Sequence, residues 1–204
     1  MSKQKQKIDN SHKRKMEKLK KNIDASINAA NRQRGIGILL TGNGKGKSTS
    51  AFGMVIRSLG YNHKVGIVQF IKGQQLSGEE IYIRDKCPSV TLHQMSTGFT
   101  WETQDRSIDI AAAEKSWSKA EKMLKDDNYD LIVLDELTYM LSFKYLDEDK
   151  VIHALKHRPI HQSVVVTGRG GGAALKSWAD TVSEIKATKH AYNQGIMARK
   201  GVDL

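Results

Sequence analysis

The stretch that decides the fold is Ile36-Gly-Ile-Leu-Leu40 followed by Thr41-Gly-Asn-Gly-Lys-Gly-Lys-Ser-Thr49. The first part is a short apolar run that predicts a buried strand, whereas the residues from Ser48 to Leu59 have the apolar period of a helix. A glycine-rich loop in this setting can turn its backbone amides toward a phosphate at the positive end of the helix. The stretch therefore predicts a phosphate-binding loop.

The loop departs by one residue from the common pattern G-x-x-x-x-G-K-[ST]. When Gly46-Lys47-Ser48 are aligned with that pattern, Thr41 takes the place of the first glycine and Gly42 follows it. A structural turn is the alternative, but a turn does not need three glycines and two lysines. Lys47 is expected to reach phosphates and the Ser48 hydroxyl to ligate magnesium. The candidate nucleotide-binding residues of the loop are Gly42, Asn43, Gly44, Lys45, Gly46, Lys47, Ser48 and Thr49.

Short apolar runs alternate with helical patterns outward from the loop. Because these runs are continuously apolar, the strands are expected to be buried on both faces, as in a mainly parallel sheet flanked by helices. The fold prediction is α/β, with a single P-loop NTPase-like domain over residues 35–204. Segment 74–84 is predicted to be a mobile loop. The predicted strands are 36–40, 65–70, 90–95, 131–134, 163–167 and 181–185, and the predicted helices are 48–59, 104–125, 137–145 and 149–156.

The first 34 residues form a basic arm. They hold 11 Lys and Arg against 3 Asp and Glu, a net charge of +8 out of +11 for the whole chain. An amphipathic helix is predicted over about 15–33, with an apolar stripe from Met16 to Ala30 and about a dozen loose residues before it. The arm could bind nucleic acid or anionic lipid, but composition does not distinguish one polyanion from another. A solvated or ligand-covering arm is the favoured interpretation.

The composition is that of a folded domain, with 39% hydrophobic and 27% charged residues in 204. Cys87 is the single cysteine, so no intramolecular disulfide can form, and a reducing, cytoplasmic setting is expected. No stretch approaches the roughly 18 apolar residues that span a bilayer. Neither export nor membrane insertion is therefore expected.

Two carboxylates, Asp135 and Glu136, follow the apolar run 131–134. Ligands of open α/β sheets bind at the carboxyl ends of strands, where these residues would face the loop and a magnesium–phosphate group. The alternative is that both are acids at the start of the next helix. The residues alone leave open which carboxylate would touch the metal.

A phosphate-binding loop does not by itself define the reaction, because kinases, hydrolases and transferases share it. The sequence lacks the Asn-Lys-x-Asp string that reads guanine, which favours ATP. An ATPase or kinase of another kind would need a residue that activates water or a hydroxyl group, and none is identifiable. A nucleic-acid-binding module that uses the basic arm is a third alternative.

Several segments together resemble the CobA/BtuR-type ATP:corrinoid adenosyltransferases, and the resemblance covers nearly the whole chain from about residue 15. The shortened loop is that family's own form, with Ser48 where the family usually has Thr. The segments are Thr41–Thr49, Val68-Gln-Phe-Ile-Lys-Gly73, Thr97-Gly-Phe-Thr-Trp-Glu-Thr-Gln104, Leu134-Asp-Glu-Leu-Thr-Tyr-Met140, Thr167-Gly-Arg-Gly170 and Ala179-Asp-Thr-Val-Ser-Glu184.

The resemblance implies transfer of the 5′-deoxyadenosyl group of ATP to the Co(I) of a reduced corrinoid, with release of triphosphate. It implies that Phe99 and Trp101 pack beneath the corrin and exclude the lower axial ligand. It makes Glu136 the first choice, with Ser48, for Mg²⁺ or Mn²⁺, and makes Arg57 and Arg169 candidates for ligand contact. Lys47, with Lys45 and the loop amides, would stabilise the leaving triphosphate.

The same resemblance implies an electron donor such as a reduced flavoprotein and a homodimer. In the family the N-terminal helix can cover the corrinoid site, which would give the basic arm a role other than nucleic-acid binding. No membrane association is expected.

Overall fold

The computed structural model describes residues 3–71, 76–95 and 105–203. Six strands within them form one sheet, and every strand pairing is parallel. The strands are β1 (Gly37–Thr41), β2 (Val65–Gln69), β3 (Thr91–Gln94), β4 (Leu131–Asp135), β5 (Ser163–Thr167) and β6 (Thr181–Glu184). Their spatial order is β3-β2-β4-β5-β1-β6. The prediction of an α/β fold with a mainly parallel sheet is confirmed.

Helices connect successive strands. They are α1 (Lys3–Ala29), α2 (Lys47–Leu59), α3 (Gly78–Lys86), α4 (Arg106–Lys125), α5 (Leu137–Ser142), α6 (Glu148–Lys156) and α7 (Gly172–Trp178), with a 3₁₀ turn at Ala191–Gln194. No helix in the described ranges is both long enough and apolar enough to cross a membrane.

Each central strand is buried on both faces. Within β4, Ile132 and Leu134 pack in a cluster with α4, α5, α6 and α7, whereas Leu131 and Val133 pack in a second cluster with α2 and α3. Successive side chains of a strand point to opposite faces, so helices on both faces require an apolar residue at every position.

The strand order places a crevice at the carboxyl edge of the sheet. The chain leaves β1 for β2, which lies beyond β5 and β4, and later returns to fill the gap. Ligands of doubly wound sheets bind where the strand order reverses in this way. The phosphate-binding loop after β1 and the carboxylates after β4 therefore lie at one edge, separated by the end of β5.

The prediction of a loop over 74–84 is wrong from residue 78 onward, where helix α3 lies, and residues 74 and 75 are outside the described residues. Only Glu80 and Ile83 of this helix are buried, so it has no apolar period. The sequence features that favour this helix lie at its ends rather than along one face. The Ser77 side chain accepts a hydrogen bond from the Glu80 amide, and Ser77-Gly-Glu-Glu80 has the spacing of a capping box. Helix α7 was also not predicted.

The chain divides into two compact units, Met1–Gln33 and Arg34–Leu204. The first contains α1, which begins about twelve residues before the predicted 15–33 segment. The expectation of loose residues there is wrong, because the Lys and Gln residues that precede Met16 are good helix formers. Met16, Leu19, Ile23 and Ile27 on this helix are 45–63% exposed.

Candidate active site

The backbone of the phosphate-binding loop requires glycine at specific positions. Gly42 and Gly46 have φ angles of 97° and 118°, which glycine adopts without strain. A Cβ atom on Gly42 would lie 2.3 Å from the Ile185 carbonyl oxygen, and one on Gly44 would lie 2.7 Å from the Lys186 carbonyl carbon. The Gly44 amide also donates to the Ile185 carbonyl, at 2.7 Å. The segment after β6 thus supports the loop from behind.

Lys47 is buried in the first turn of α2 and spans the loop. Its Nζ donates to the Gly44 carbonyl at 2.8 Å. Burial lowers the pKa of Lys47, and the nearby Glu136 carboxylate opposes this shift. Within the described ranges the ammonium group is thus held at the loop by one neutral acceptor, which it can exchange for an anionic ligand oxygen.

The two carboxylates after β4 have different environments. Both oxygens of the buried Asp135 accept hydrogen bonds, Oδ1 from the Thr167 hydroxyl at 2.6 Å and Oδ2 from the Gln69 amide at 3.0 Å. Glu136 Oε2 is buried and has no hydrogen-bond partner among the described residues. Burial, and secondarily the Asp135 charge, raise the pKa of Glu136 to about 7, while Lys47 and Arg169 oppose the shift. Glu136 is therefore the carboxylate with an oxygen available to a ligand.

The backbone around Glu136 is held in an uncommon conformation. Its φ angle is 59°, in the left-handed region, and its amide donates to the Thr167 hydroxyl at 3.0 Å. Gly168, with φ 136°, packs so closely that a Cβ atom there would overlap the Thr138 hydroxyl. That hydroxyl donates to the Arg169 carbonyl at 2.8 Å. The segments that follow β4 and β5 therefore pack against each other, and this packing brings Glu136 and Arg169 to the same site.

These groups line a cavity of about 800 Å³. Residues 43–49 of the loop, both carboxylates and Arg169 all contribute to its wall. Gly42 packs against the segment after β6 and is not part of the described wall. Arg57 is exposed in the last turn of α2 and is also not part of that wall, and Phe99 and Trp101 lie outside the described residues.

The cavity wall also contains residues that the sequence analysis did not predict. Phe52, Gln69, Ile71, Ser77, Gly78, Glu79, His190, Gly201, Val202 and Asp203 complete it. Gln69 is the last residue of a buried strand and lies at the same edge as Asp135, which could have drawn attention to it. Asp203 pairs with Lys45 of the loop, with Nζ and Oδ1 3.2 Å apart. No local pattern indicated that contact across the fold.

The donor set suits a hard divalent cation. Glu136 Oε2, which has no partner among the described residues, is a carboxyl oxygen that a cation could bind, and the Ser48 hydroxyl lines the same cavity. The described residues contain no cluster of three or more His, Cys, Asp or Glu that could hold a metal. Magnesium does not need such a cage, because it retains several waters and binds one or two carboxylates together with substrate phosphates.

The family model described as "ATP:corrinoid adenosyltransferase BtuR/CobO/CobP" matches residues 33–204. The corrinoid adenosyltransferase of Pseudomonas aeruginosa is 49% identical to this chain over 195 residues, which are 96% of each protein. That of Escherichia coli strain K12 is 44% identical over 96% of this chain and 98% of its own. That of Sinorhizobium sp is 39% identical over 97% and 94%. Among solved structures, flagellar accessory protein FlaH from Methanocaldococcus jannaschii has a TM-score of 0.48 at 12% identity, over 74% of this chain and 71% of its own.

Proposed function

The chain belongs to the ATP:corrinoid adenosyltransferase family BtuR/CobO/CobP, so it is a transferase that acts on ATP and a corrinoid, and we propose which of its side chains serve that reaction. The observation that carries the proposal is that the phosphate-binding loop, Lys47 and a Glu136 oxygen with no partner in the described part of the chain meet in one cavity. Adenosyl transfer is the function that this site supports best.

In the proposed reaction the electron pair of Co(I) attacks C5′ of ATP. A cobalt–carbon bond forms, the C5′–oxygen bond breaks, and triphosphate leaves with that bond's electron pair, so that cobalt is formally oxidised to Co(III). No proton has to be removed from a nucleophile, so this reaction does not require a general base. The main demand on the protein is to orient the ribose and neutralise the leaving triphosphate.

Lys47 and the loop amides meet that demand in the proposal. Lys47 would give up its bond to the Gly44 carbonyl and donate to triphosphate oxygens, and the loop amides would donate beside it. Lys45 and Arg169, which both line the cavity, would add further positive charge. Removing water from this partly buried site would strengthen each of these contacts.

Ser48 and Glu136 would hold Mg²⁺ or Mn²⁺. When bound, the ion neutralises charge on the triphosphate. Asp135 would act on it indirectly, because both of its oxygens already accept hydrogen bonds from the protein. The unpartnered Glu136 oxygen supports this assignment.

The Glu136→Gln variant tests the metal site. It should raise the Mg²⁺ concentration needed for half-maximal activity by on the order of 10- to 100-fold, because a neutral amide is a poor ligand for this ion. The thermal midpoint should not fall, since an unpaired buried charge is removed. An unchanged Mg²⁺ requirement would contradict the role given to Glu136.

Phe99 and Trp101 keep the role implied by the family, exclusion of the lower axial ligand of the corrinoid. Substitution of either by Ala should impair adenosylation of a Co(II) corrinoid in the presence of reductant more than that of prereduced Co(I). The two starting states are compared by kcat/KM. Equal losses would make these aromatics packing residues only.

We further propose a one-electron donor such as a reduced flavoprotein, which would convert Co(II) to Co(I), and a homodimeric assembly. A reducing cytoplasmic setting remains an expectation from the single cysteine, Cys87.

The decisive experiment is anaerobic incubation of the full chain with ATP, Mg²⁺ and chemically reduced cobalamin. The expected result is loss of Co(I) absorbance with formation of a light-sensitive product and one equivalent of triphosphate. Cleavage of ATP to ADP and phosphate without that product would indicate an ATPase or kinase instead.

A further inference from the structure

We propose that Gln69 and Gln94 are positioning residues, which link helix α3 through a hydrogen-bonded relay of fixed direction to the Asp135 carboxylate. The inference rests on the proposed function, because Asp135 supports the turn that presents Glu136 to the metal.

The relay consists of consecutive side-chain hydrogen bonds. Arg84 of α3 donates from Nε to Glu80 Oε1 at 3.2 Å and from Nη2 to Gln94 Oε1 at 2.6 Å. Gln94 Nε2 donates to Gln69 Oε1 at 2.9 Å. Gln69 Nε2 donates to Asp135 Oδ2 at 3.0 Å. Asp135 Oδ1 then accepts from the Thr167 hydroxyl, which also accepts the Glu136 amide proton.

The sheet itself aligns the three central members. Gln69 pairs in register with Gln94 on β3 and with Asp135 on β4. The three residues occupy the last position of their strands, so their side chains lie side by side at the carboxyl edge. Gln69 is 2% exposed and Asp135 is 4% exposed. At this burial an unpaired polar atom is costly, which favours a fully connected network.

The chemistry at the two ends fixes the direction of the relay. A guanidinium group can only donate hydrogen bonds, and an ionised carboxylate can only accept them. Arg84 therefore requires an oxygen from Gln94, and Asp135 requires an amide nitrogen from Gln69. These two requirements leave one orientation for each glutamine. Turning either amide by 180° would place a donor against a donor at one contact and an acceptor against an acceptor at the other.

Two consequences follow for the site. Asp135 is held with both oxygens occupied, so Thr167 stays oriented toward the Glu136 amide and Glu136 remains the carboxylate with a free oxygen. Helix α3 brings Ser77, Gly78 and Glu79 to the cavity wall near its first turn and Arg84 to the relay near its last. The position of α3 is thereby coupled to the orientation of the carboxylates.

The test compares two substitutions at the half-buried Gln94. Gln94→Glu keeps an acceptor for Arg84 but cannot donate to Gln69, so Gln69 must turn its amide and present its oxygen to Asp135. Gln94→Met removes the link but leaves Gln69 free to continue donating to Asp135. The Glu variant should therefore disturb the site more than the Met variant, although it retains more of the original hydrogen bonding.

The readout is the affinity of the full-length protein for Mn²⁺ in the presence of ATP, measured by the loss of the free Mn²⁺ electron paramagnetic resonance signal. We expect a 10- to 100-fold weakening for Gln94→Glu and for Gln69→Leu, and less than about threefold for Gln94→Met. The Gln69→Leu variant removes a buried group, so the two Gln94 variants carry the test if it fails to fold.

Gln162→Leu is the matched control. Gln162 is a fully buried glutamine whose amide donates to the Met123 and Asp126 carbonyls next to the amino end of β5. Its substitution should lower the thermal midpoint without changing Mn²⁺ affinity. The relay is overturned if the Mn²⁺ affinity of Gln94→Glu equals that of the unsubstituted protein. It is also overturned if Gln94→Met or Gln162→Leu lowers the Mn²⁺ affinity as much as Gln94→Glu does.

The test is separable from that of the proposed function. An unsubstituted protein that forms no adenosylated corrinoid, but shows the predicted order of Mn²⁺ affinities, would refute the transfer reaction and support the relay. An active unsubstituted protein whose Gln94 variants bind Mn²⁺ equally well would refute the relay alone.

Discussion

At the scale of single residues, the site depends on Glu136 being held in an unfavourable backbone conformation and an unfavourable side-chain environment. Its backbone has a positive φ angle of 59°, and one of its carboxylate oxygens is buried without a partner in the described part of the chain. Such states persist only when neighbouring contacts enforce them, which here come from Thr167 and the close approach of Gly168. This strain at a ligand-facing residue is typical of a functional position.

Lys47→Ala should reduce adenosyl transfer by on the order of 100- to 1000-fold, because a positive charge that faces the leaving triphosphate is lost. The fold should be retained, since Lys47 Nζ makes one hydrogen bond to a loop carbonyl. Initial rates and thermal midpoints measure the two effects. Lys125→Ala, at an exposed lysine near the end of α4, is the control and should leave the rate unchanged. Full activity of Lys47→Ala would exclude the loop from the reaction.

The residues alone pointed to the loop and to the Asp135-Glu136 pair without choosing between the two carboxylates, and only the family resemblance favoured Glu136. That choice depends on Gln69 and Thr167, which are 66 and 32 residues from Asp135 along the chain. Spacing along one segment carries no information about such contacts. Gln69 lies in Val68–Gly73, one of the segments that carry the family resemblance, but no role in the site was predicted for it.

At the scale of secondary-structure elements, buried strands were predicted best. Segment 163–167 coincides with β5, because a continuously apolar run has few alternatives. Helix α3 was not predicted, since its stability comes from its capped and charged ends rather than from an apolar stripe. The edge strand β6 is exposed at every position and is held by specific contacts at its start.

Asp180 provides those contacts and makes them dependent on pH. Its carboxylate accepts from Arg34 in two bonds of 2.5 and 2.9 Å and from the Gly37 amide at 2.9 Å, while its own amide donates to the Gly37 carbonyl. The hydrogen bond from Arg34 is the main cause that lowers the pKa of Asp180 to about 2. A depressed carboxyl pKa stabilises the folded state above the unfolded value near 4, and this contribution is lost as the pH falls toward 2.

Asp180→Asn should therefore lower the urea midpoint at pH 7 and have a smaller effect at pH 3. Urea titrations of both proteins at the two pH values measure the difference. A deficit of equal size at both pH values would show that the charge of Asp180 does not stabilise the attachment of β6 to β1.

At the scale of the whole molecule, the cavity is assembled from segments that are distant in sequence. The sequence predicted the crevice at the carboxyl edge, because α/β topology alone places it there. It could not predict that residues 201–203 form part of the wall, since that contact depends on the path of the chain after β6. The pairing of Asp203 with Lys45 also places a protein carboxylate beside the phosphate-binding loop.

Asp203→Asn should strengthen the binding of inorganic triphosphate by up to about fivefold, because Lys45 would no longer be shared with a competing anion and ion pairs at the surface are weak. Isothermal titration calorimetry measures the affinity. Glu121→Gln breaks a comparable surface pair with Lys125 on α4 and should change nothing. Weaker binding by Asp203→Asn would indicate that the carboxylate helps to position the ligand.

The support of the loop by residues 185 and 186 limits how far this site can be transplanted. Gly42 and Gly44 pack closely against the backbone that follows the edge strand β6, more than 140 residues further along the chain. A chimera carrying only residues 41–49 would keep every side chain of the motif but would lose the backbone of residues 185 and 186, against which the loop packs. Grafting the activity onto another parallel sheet would require a strand beside the first one, with its outgoing chain in the same place. The transferable unit is thus a pair of neighbouring strands with their exits, rather than a nonapeptide.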